Sequence, residues 1–516
     1  MKLLSFWLAG ITLVGAVAAD THAETAPVDA WLSYKRPPEY EVLVNQVRPV
    51  MSDGAELDCT MAVPAIDGRP APGKFPGVIN NVNPYAALKV FFVNQIKELA
   101  SLGYQGLTCR VRGTGDSDGE FIMGGSVEEW RDSYELVEWL AAHPGSNGRI
   151  AFEGASYGGM TALQAAIEKP AHLVTIVPLV PASDLYLDFV YRGGLKSRPY
   201  TTGNWALVTS LMNFPSMSPW RVWDLWYAHP ELDEFWRDSM PIYRSETIDV
   251  PMLIAPGWAD DVLPNGGVRL FEAMQRSENA NQVWMFVGAW DHDMALFPRN
   301  VVIAWLDHWL QERDTAPLPP ARVVSTEMGW EGRHWTFEQW PPVNSSSINL
   351  ALNQDGSLGQ SAGVAGTLNF EQNAYSGLIG TPETLSFTSL PLDQDLVIAG
   401  DMLLKLVAAY DGAEATLHAR LLERDDGKSM LIKEGWLNVT HRTSHSSPTP
   451  IPQGDWVTAT VNIGAMHRRV SAGSRLVLEI SGADVWDWQT VSTSVTTAVA
   501  TGEGGSVLSL RVLNPN

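Results

Sequence analysis

Residues 149–158 read RIAFEGASYG, and this stretch decides the fold. Residues 149–153 are predicted to form a strand and residues 159–168 a helix. Between them stands Gly154-Ala155-Ser156-Tyr157-Gly158, which matches the pattern G-x-S-x-G at a strand-to-helix turn. Such a turn lifts the serine hydroxyl above the end of a sheet, and small flanking residues relieve the crowding that it creates. Ser156 is therefore the candidate nucleophile, the alternative being a Gly/Ser turn without chemistry.

The segments on both sides of this turn alternate between strand-like and helix-like patterns. Strands are predicted at residues 42–51, 56–63, 75–80, 106–111, 173–180, 250–255 and 283–287, and helices at residues 86–102, 127–142 and 301–312. Alternation of this kind predicts an α/β architecture around a mostly parallel sheet.

Two other parts of the chain have different patterns. Residues 181–249 are crowded with aromatic residues and show no clear strand, so we expect an inserted helical cap. Residues 315–320 read TAPLPP, a proline-rich connector typical of a domain boundary. Short strand-like runs follow it and indicate a β-sandwich or jelly roll. The α/β domain is then expected at 24–180 and 250–314, and the β domain at 321–516.

Charge and composition exclude several classes of partner. The 516 residues include 35 Lys and Arg against 58 Asp and Glu, a formal net charge of -23. Such an acidic chain is not expected to bind nucleic acid or an anionic membrane. The sequence contains no recognisable metal motif or phosphate-binding loop, so neither a metal nor another cofactor is expected. A small-molecule substrate is the expected partner.

The N-terminal residues have the pattern of a secretory signal. Lys2 is followed by a nearly continuous apolar run at residues 3–18 and then by small-x-small cleavage patterns. We expect residues 1–23 to be removed and the mature chain to be secreted or periplasmic, without stable membrane insertion. The alternative is an N-terminal membrane anchor. Cys59 and Cys109 both fall in predicted strands, and the sequence leaves open whether they form a disulfide or stay as buried thiols.

A serine hydroxyl is a weak nucleophile and needs a base that a third group orients. In α/β-hydrolases the acid and then the histidine follow the serine along the chain. Of the 11 histidines, His292 is the one that stands in a loop directly after a late strand of the α/β domain. Asp260 and Asp261 both follow the preceding strand, and their spacing does not choose between them. The N–H of Tyr157, at the start of a helix, is a candidate oxyanion donor.

Together these motifs resemble those of one group of α/β-hydrolases, which contains cocaine esterase, X-prolyl dipeptidyl peptidases and α-amino-acid ester hydrolases. Asn83-Pro84-Tyr85 is similar to the N-P-Y of this group, and Gly257-Trp258-Ala259-Asp260 resembles its G-W-x-D. Residues 287–292 (VGAWDH) resemble its G-x-W-x-H. The similarity extends from about Val42 to the C-terminus and includes the entry to a C-terminal jelly roll.

The resemblance implies roles for individual residues. It selects Asp260 over Asp261 as the triad acid and supports His292 as the base. It implies that the hydroxyl of Tyr85 serves in the oxyanion hole with the N–H of Tyr157. The implied fold is an α/β hydrolase with a mostly parallel sheet, an inserted helical cap and a C-terminal β-sandwich or jelly-roll domain.

At two positions the sequence departs from the family pattern, and each departure limits what the resemblance implies for this chain. Arg110 stands where the family often has the aspartate of D-x-R-G, so an ion pair made by that aspartate is in doubt. Gly158 stands where α-amino-acid ester hydrolases carry an acidic residue, which counts against that branch. Residues 184–186 (DLY) and 191–194 (YRGG) look more like the cocaine-esterase branch. Asp184, Asp188 and Asp224 are candidate ligands for a substrate ammonium, with helix capping or solvation as the alternative.

The main hypothesis is an exported serine hydrolase that cleaves carboxylic esters through an acyl-enzyme. Its acyl group is expected to be aromatic or apolar and to contact tryptophans of the cap, namely Trp205, Trp220, Trp223 and Trp226. One alternative is an X-prolyl dipeptidyl peptidase or an acylase with the same triad, which needs a charged anchor such as Asp184 in the cap. The other is a non-catalytic glycan-binding protein.

Overall fold

The chain forms two large β-sheets, the first of which is covered by helices. The computed structural model describes residues 25–122, 126–197, 224–329, 333–373, 382–483 and 494–514. The signal-like residues 1–23 and the tryptophans Trp205, Trp220 and Trp223 lie outside these ranges.

The first sheet is mixed and mostly parallel. Within the described ranges its strands are β1 (Glu41–Val47), β2 (Cys59–Ile66), β3 (Arg69–Pro70), β4 (Phe75–Asn80), β5 (Gln105–Cys109), β6 (Ser146–Ala155), β7 (Leu173–Leu179), β10 (Met252–Ile254), β11 (Val283–Val287), β12 (Val323–Thr326) and β13 (His334–Phe337). Their order is β1-β2-β5-β4-β6-β7-β10-β11-β12-β13, with β3 paired to β2. Pairing is parallel from β5 through β12 and antiparallel at both ends.

Helices cover both faces of this sheet. They are α1 (Thr25–Leu32), α2 (Lys89–Ser101), α3 (Val127–Ala142), α4 (Tyr157–Glu168), α5 (Glu234–Ser239), α6 (Gly266–Met274) and α7 (Asn300–Gln311). Because strand side chains alternate between faces, Ile150 and Phe152 pack in one hydrophobic cluster and Ala151 in another. Helices α3, α4 and α6 complete the first cluster, and α1 and α7 the second.

Most predicted elements of the α/β domain are present, but two helices, α1 and α6, were missed. Helix α3 and strand β11 have the predicted bounds. Helix α6 was not predicted, because its first two residues are glycines, which are poor helix formers. Gly266 is nevertheless required there, since a Cβ at this position would lie 2.5 Å from Oδ2 of Asp188.

The segment after β7 contains short elements. A small hairpin of β8 (Tyr191–Arg192) and β9 (Leu195–Lys196) follows a π-helical turn at Tyr186–Val190. Beyond residues 198–223, helix α5 and a 3-10 turn at Pro241–Thr247 lead back to the sheet. The described part of the predicted cap is thus made of short helices with one hairpin that the sequence pattern did not show.

The second sheet is antiparallel apart from one short parallel pairing. Its strands are β14 (Ser345–Leu352), β15 (Ser357–Gly359), β16 (Gly366–Gln372), β17 (Thr384–Ser389), β18 (Leu396–Tyr410), β19 (Thr416–Asp425), β20 (Lys428–Asn438), β21 (Trp456–Val470), β22 (Arg475–Ser481), β23 (Val495–Thr501) and β24 (Val507–Leu513). Their order is β16-β23-β18-β24-β14-β15-β17-β22-β19-β20, with β21 paired to β18.

The proline-rich connector at 315–320 does not coincide with the start of the second sheet. Strands β12 and β13 follow the connector, but β12 pairs in parallel with β11 and continues the first sheet. The second sheet begins at Ser345. A strand that follows helix α7 completes another strand-helix-strand unit, which explains why the first sheet extends beyond the connector.

The two cysteines form a disulfide, which settles the choice that the sequence left open. Cys59 on β2 and Cys109 on β5 are direct cross-strand partners, with their Cα atoms 4.1 Å apart. Among the described helices, none is both long enough and apolar enough to span a membrane.

Candidate active site

Ser156 stands on a strained turn between β6 and α4. Its φ of 57° and ψ of -116° lie where non-glycine residues are rarely found. The N–H of Ser156 donates to the carbonyl of Leu179 on the neighbouring strand at 2.9 Å. Strain of this kind persists where the surrounding structure holds the backbone, and it is concentrated at functional sites.

The glycines that flank the serine are required by close contacts. A Cβ on Gly154 would lie 2.5 Å from the backbone of Gly158. A Cβ on Gly158 would lie 2.5 Å from Oδ1 of Asn81. The same Asn81 oxygen accepts a hydrogen bond from the N–H of Ala155 at 2.8 Å. The pattern G-x-S-x-G therefore reflects how tightly this turn packs against the end of β4.

Ser156, His292 and Asp260 form a continuous chain of hydrogen bonds. Oγ of Ser156 lies 2.9 Å from Nε2 of His292. Nδ1 of His292 lies 3.1 and 3.2 Å from the two carboxylate oxygens of Asp260. The three residues follow β6, β11 and β10, so they come from the carboxyl ends of parallel strands, where ligands bind in open α/β sheets.

The structure separates the two aspartates between which sequence spacing could not choose. Asp260 is 2% exposed, whereas Asp261 is an exposed residue. Oδ1 of Asp260 also accepts hydrogen bonds from the N–H groups of Val262 and Leu263, each at 2.9 Å. These bonds orient the carboxylate toward His292.

The acid loop (residues 257–264) and the histidine loop (residues 288–293) are packed directly against each other. The N–H of Trp258 donates to the carbonyl of Gly288 at 2.8 Å. A Cβ on Gly257 would lie 2.2 Å from the carbonyl oxygen of Trp290, and one on Gly288 would lie 2.2 Å from the ring of Trp290. The glycine of G-W-x-D thus lets the two loops approach each other, and the glycine of G-x-W-x-H leaves room for the Trp290 ring within its own loop.

Tyr157 presents its backbone, not its ring, to the serine. It begins helix α4, and the first N–H groups of a helix have no acceptor within the helix. Its hydroxyl instead donates to Glu129 on α3, at 3.0 and 2.8 Å from the two carboxylate oxygens. Glu129 is 2% exposed, and this burial raises its pKa to about 8.

Tyr85 lies beside the nucleophile turn. Its ring centroid is 6.5 Å from that of Tyr157 in an edge-to-face arrangement. The N–H of Tyr85 donates to Oδ1 of Asn83 at 2.9 Å, and its carbonyl accepts from Nη1 of Arg110 at 3.0 Å. Arg110 also donates to Oδ1 of Asn83. The arginine that departs from D-x-R-G therefore holds the loop that carries Tyr85, and burial lowers its pKa to about 10.

The arginine of the R-G pair has other partners. Arg112 donates to both carboxylate oxygens of Asp132 on α3, at 2.7 and 2.6 Å, and to Asp53 at 3.1 Å. Arg112 therefore forms ion pairs with Asp132 and Asp53 although residue 110 is not an aspartate.

Three of the remaining candidate binding residues are occupied by internal contacts, whereas Asp224 is exposed. Asp184 is 2% exposed and lies 3.4 Å from Nη2 of Arg269, while Asp188 makes two contacts of 2.9 Å with the same guanidinium. Trp226 is fully buried and packs edge-to-face against Phe189. These three side chains thus lie inside the protein, in contact with its own residues.

Several residues that support the site were not singled out from the sequence. Glu129 could have been noticed as an acidic residue on the inward face of the amphipathic helix α3. Lys433 lies on β20, in the half of that strand that is buried in the second sheet. A lysine next to apolar residues was its one signal in the sequence.

Comparison with known proteins places this geometry in a family. The sequence model described as X-Pro dipeptidyl-peptidase matches residues 53–221 and 215–293, and the X-Pro dipeptidyl-peptidase C-terminal non-catalytic domain matches residues 316–500. The chain is 22% identical over 539 residues to cocaine esterase of Rhodococcus sp. (strain MB1 Bresler), an alignment that covers 86% of this chain and 91% of that protein.

Solved structures show the same fold. An aminopeptidase from a marine sediment Thaumarchaeota archaeon superimposes with a TM-score of 0.81 at 18% identity, covering 93% of this chain and 98% of the other. A CocE/NonD family hydrolase from Staphylococcus aureus superimposes with a TM-score of 0.78 at 19% identity, covering 94% and 98%. These likenesses confirm the expected α/β hydrolase with a C-terminal β domain. The chain belongs to the CocE/NonD-type family of hydrolases, which includes cocaine esterase and the X-Pro dipeptidyl-peptidases.

Proposed function

We propose that this protein is a serine esterase that cleaves carboxylic esters through an acyl-enzyme. The observation that carries the proposal is the hydrogen-bond chain from Ser156 Oγ through His292 to the buried Asp260. A nucleophile bonded to a base, which is bonded in turn to an orienting carboxylate, is the arrangement that acyl transfer requires.

In the first half-reaction Ser156 Oγ attacks the ester carbonyl while Nε2 of His292 takes the hydroxyl proton. Asp260 fixes the tautomer of His292 and stabilises the imidazolium that forms. The tetrahedral intermediate collapses, its bond to the alkoxide breaks, and His292 gives its proton to the departing alcohol. In the second half-reaction water attacks the acyl-enzyme while His292 takes a proton from the water. The bond between Ser156 Oγ and the acyl carbon then breaks, the carboxylic acid leaves, and His292 returns the proton to Ser156 Oγ.

The N–H of Tyr157 and the hydroxyl of Tyr85 are proposed to bind the oxyanion. Helix α4 begins at Tyr157, so its dipole adds partial positive charge at the same place. Each preorganised donor of this kind contributes about 3 kcal/mol to transition-state stabilisation. The Arg110 contacts keep the loop of Tyr85 in position for this role.

The charges and composition of the cap segment favour an ester with an apolar or aromatic acyl group. An X-Pro peptidase must bind a substrate ammonium, yet two of the three candidate aspartates, Asp184 and Asp188, are paired with Arg269. Residues 198–223 contain three tryptophans and neither Asp nor Glu. The similarity to cocaine esterase agrees with the same preference.

The disulfide supports a location for this activity. Bridges persist in oxidising compartments, and Cys59 and Cys109 are bonded between adjacent strands. We therefore place the mature protein outside the reducing cytosol. Recovery of the bridged, active enzyme from a periplasmic or culture fraction tests this, and recovery of reduced enzyme from the cytosol alone contradicts it.

A labelling and turnover experiment tests the reaction. Wild type and Ser156→Ala are treated with a fluorophosphonate and assayed with a p-nitrophenyl ester and an X-Pro-p-nitroanilide. We expect labelling and ester turnover in the wild type, loss of both in the variant, and no anilide turnover. Turnover of the anilide would indicate an X-Pro dipeptidyl peptidase. An unlabelled wild type without turnover would overturn the serine mechanism and favour a non-catalytic glycan-binding protein.

A further inference from the structure

A lysine of the second sheet reaches the acid loop of the first. Lys433 lies on β20, and its side chain is nine-tenths buried. Its Nζ lies 3.3 Å from the carbonyl oxygen of Trp258 and 3.5 Å from that of Pro264. Lysine is almost never buried without partners, because taking an ammonium out of water is costly. Here the partners are two carbonyl groups that stand at the two ends of the acid loop.

Asp260, the proposed triad acid, lies in the loop between these two carbonyls. Asp260 is oriented by the N–H groups of Val262 and Leu263, so its direction depends on the conformation of the loop. Arg192 holds the same loop at other points, since its Nη2 donates to the carbonyls of Asp261 and Val262 at 3.1 and 3.4 Å. In the described part of the chain, no lysine or arginine lies within ion-pair distance of Asp260, and its side-chain partner is His292.

The charges around Lys433 come from the acid loop and from the segment after β7. Asp260 and Asp261 favour its ammonium form, as does Asp188, whereas Arg192 opposes it. Burial outweighs the carboxylates and lowers the pKa of Lys433 to about 8. The ammonium therefore persists at neutral pH and is lost in mildly alkaline solution.

We propose that Lys433 is a positioning residue for catalysis: from the C-terminal β domain it holds the acid loop so that Asp260 meets His292. This inference rests on the proposed serine esterase function. It gives the β domain a direct part in aligning the triad. It also predicts that activity responds to the ionisation of a group in the second sheet, which begins at Ser345.

The test compares Lys433→Met with wild type on a p-nitrophenyl ester, with rates normalised to the sites titrated by a fluorophosphonate. Loss of the ammonium is expected to lower kcat roughly 10- to 100-fold, as small misplacements of catalytic groups do, with KM changed less than about twofold. In the wild type, kcat/KM should fall as pH rises through about 8. The fall should be absent in Lys433→Met.

Two further variants make the result specific. Lys428→Met changes an exposed lysine on the same strand and should keep the wild-type rate and pH profile. Lys433→Arg stays charged throughout the range and should lose the alkaline fall, which provides a readout if Lys433→Met does not fold. A wild-type kcat in Lys433→Met, or an unchanged alkaline fall in Lys433→Arg, would overturn the proposal. Retained activity in Ser156→Ala would instead overturn the serine esterase function.

Discussion

The hydroxyl of Tyr157 donates to both carboxylate oxygens of Glu129, at 3.0 and 2.8 Å. This contact ties the first residue of α4 to the first turn of α3 beneath the nucleophile. Tyr157 thereby has two separate functions, because its N–H stands at the proposed oxyanion hole while its ring anchors the turn in the core. The buried carboxyl is part of the support of the site rather than of its chemistry.

Glu129 makes the stability of the protein depend on pH. Its pKa is raised by burial to about 8 in the folded state, above its value in the unfolded chain. The folded state thus binds more protons between about pH 4.5 and pH 8, and stability falls as pH rises through this window. In Glu129→Gln this part of the fall should disappear, a difference of a few kcal/mol between pH 5 and pH 8.

Urea denaturation of both proteins at pH 5 and pH 8 measures this difference. Glu128→Gln is the matched control, because the neighbouring Glu128 is exposed and its pKa is lowered, by the N–H of its own residue and by Ser126. That variant should follow the wild type between pH 5 and pH 8. If wild type and Glu129→Gln have parallel pH dependence, Glu129 is ionised in the folded protein and the assignment is wrong.

Asp260 and Asp261 should differ sharply in their effect on activity. In Asp260→Asn the side chain no longer stabilises the imidazolium or fixes the reactive tautomer of His292. We expect kcat to fall about ten-thousandfold with the fold retained. In Asp261→Asn the backbone carbonyl that Arg192 binds is unchanged and the exposed carboxylate is lost, so kcat should stay within about twofold. Steady-state kinetics of the two variants measure this difference. Comparable losses of kcat would contradict the assignment of Asp260 as the triad acid.

The turn that carries the candidate nucleophile could be predicted from sequence because its signal is local. Strand, turn and helix are contiguous from residue 149 to residue 168, and both glycines of the turn are explained by contacts at Asn81 and within the turn. The acid is different, since the orientation of Asp260 depends on N–H groups of Val262 and Leu263 that spacing does not reveal. There the family resemblance supplied what the residues alone did not.

Two other contacts between distant parts of the chain were not predicted. Asp184 was a candidate ammonium ligand, but its partner Arg269 is 85 residues away. Arg269 belongs to helix α6, which was not predicted because it begins with two glycines. Lys433 is 175 residues from Trp258, and its inward direction depends on the pairing register of β20. Such placements are set by tertiary packing, which local patterns do not encode.

Arg110 and Tyr85 should act through the same interaction. Tyr85→Phe removes the proposed oxyanion hydroxyl and should lower kcat about 100- to 1000-fold. Arg110→Met removes the guanidinium that holds the carbonyl of Tyr85 and the side chain of Asn83, so it should lower kcat by displacing that hydroxyl. If so, Arg110→Met should have little further effect on kcat in the Tyr85→Phe background. A double-mutant cycle measures this, and fully multiplicative losses would show that Arg110 does not act through Tyr85.

Gly257 should tolerate no side chain, because the acid loop and the histidine loop meet at this residue. A Cβ there would lie 2.2 Å from the carbonyl oxygen of Trp290, a backbone atom that cannot move without shifting His292. Gly257→Ala should therefore separate Asp260 from His292, lowering kcat roughly 100-fold and the free energy of unfolding by about 1–3 kcal/mol. Gly359→Ala is the control, since a Cβ at Gly359 meets nothing within 4 Å. Kinetics and urea denaturation of both variants test this, and a fully active Gly257→Ala would mean that the loops are not in the contact described.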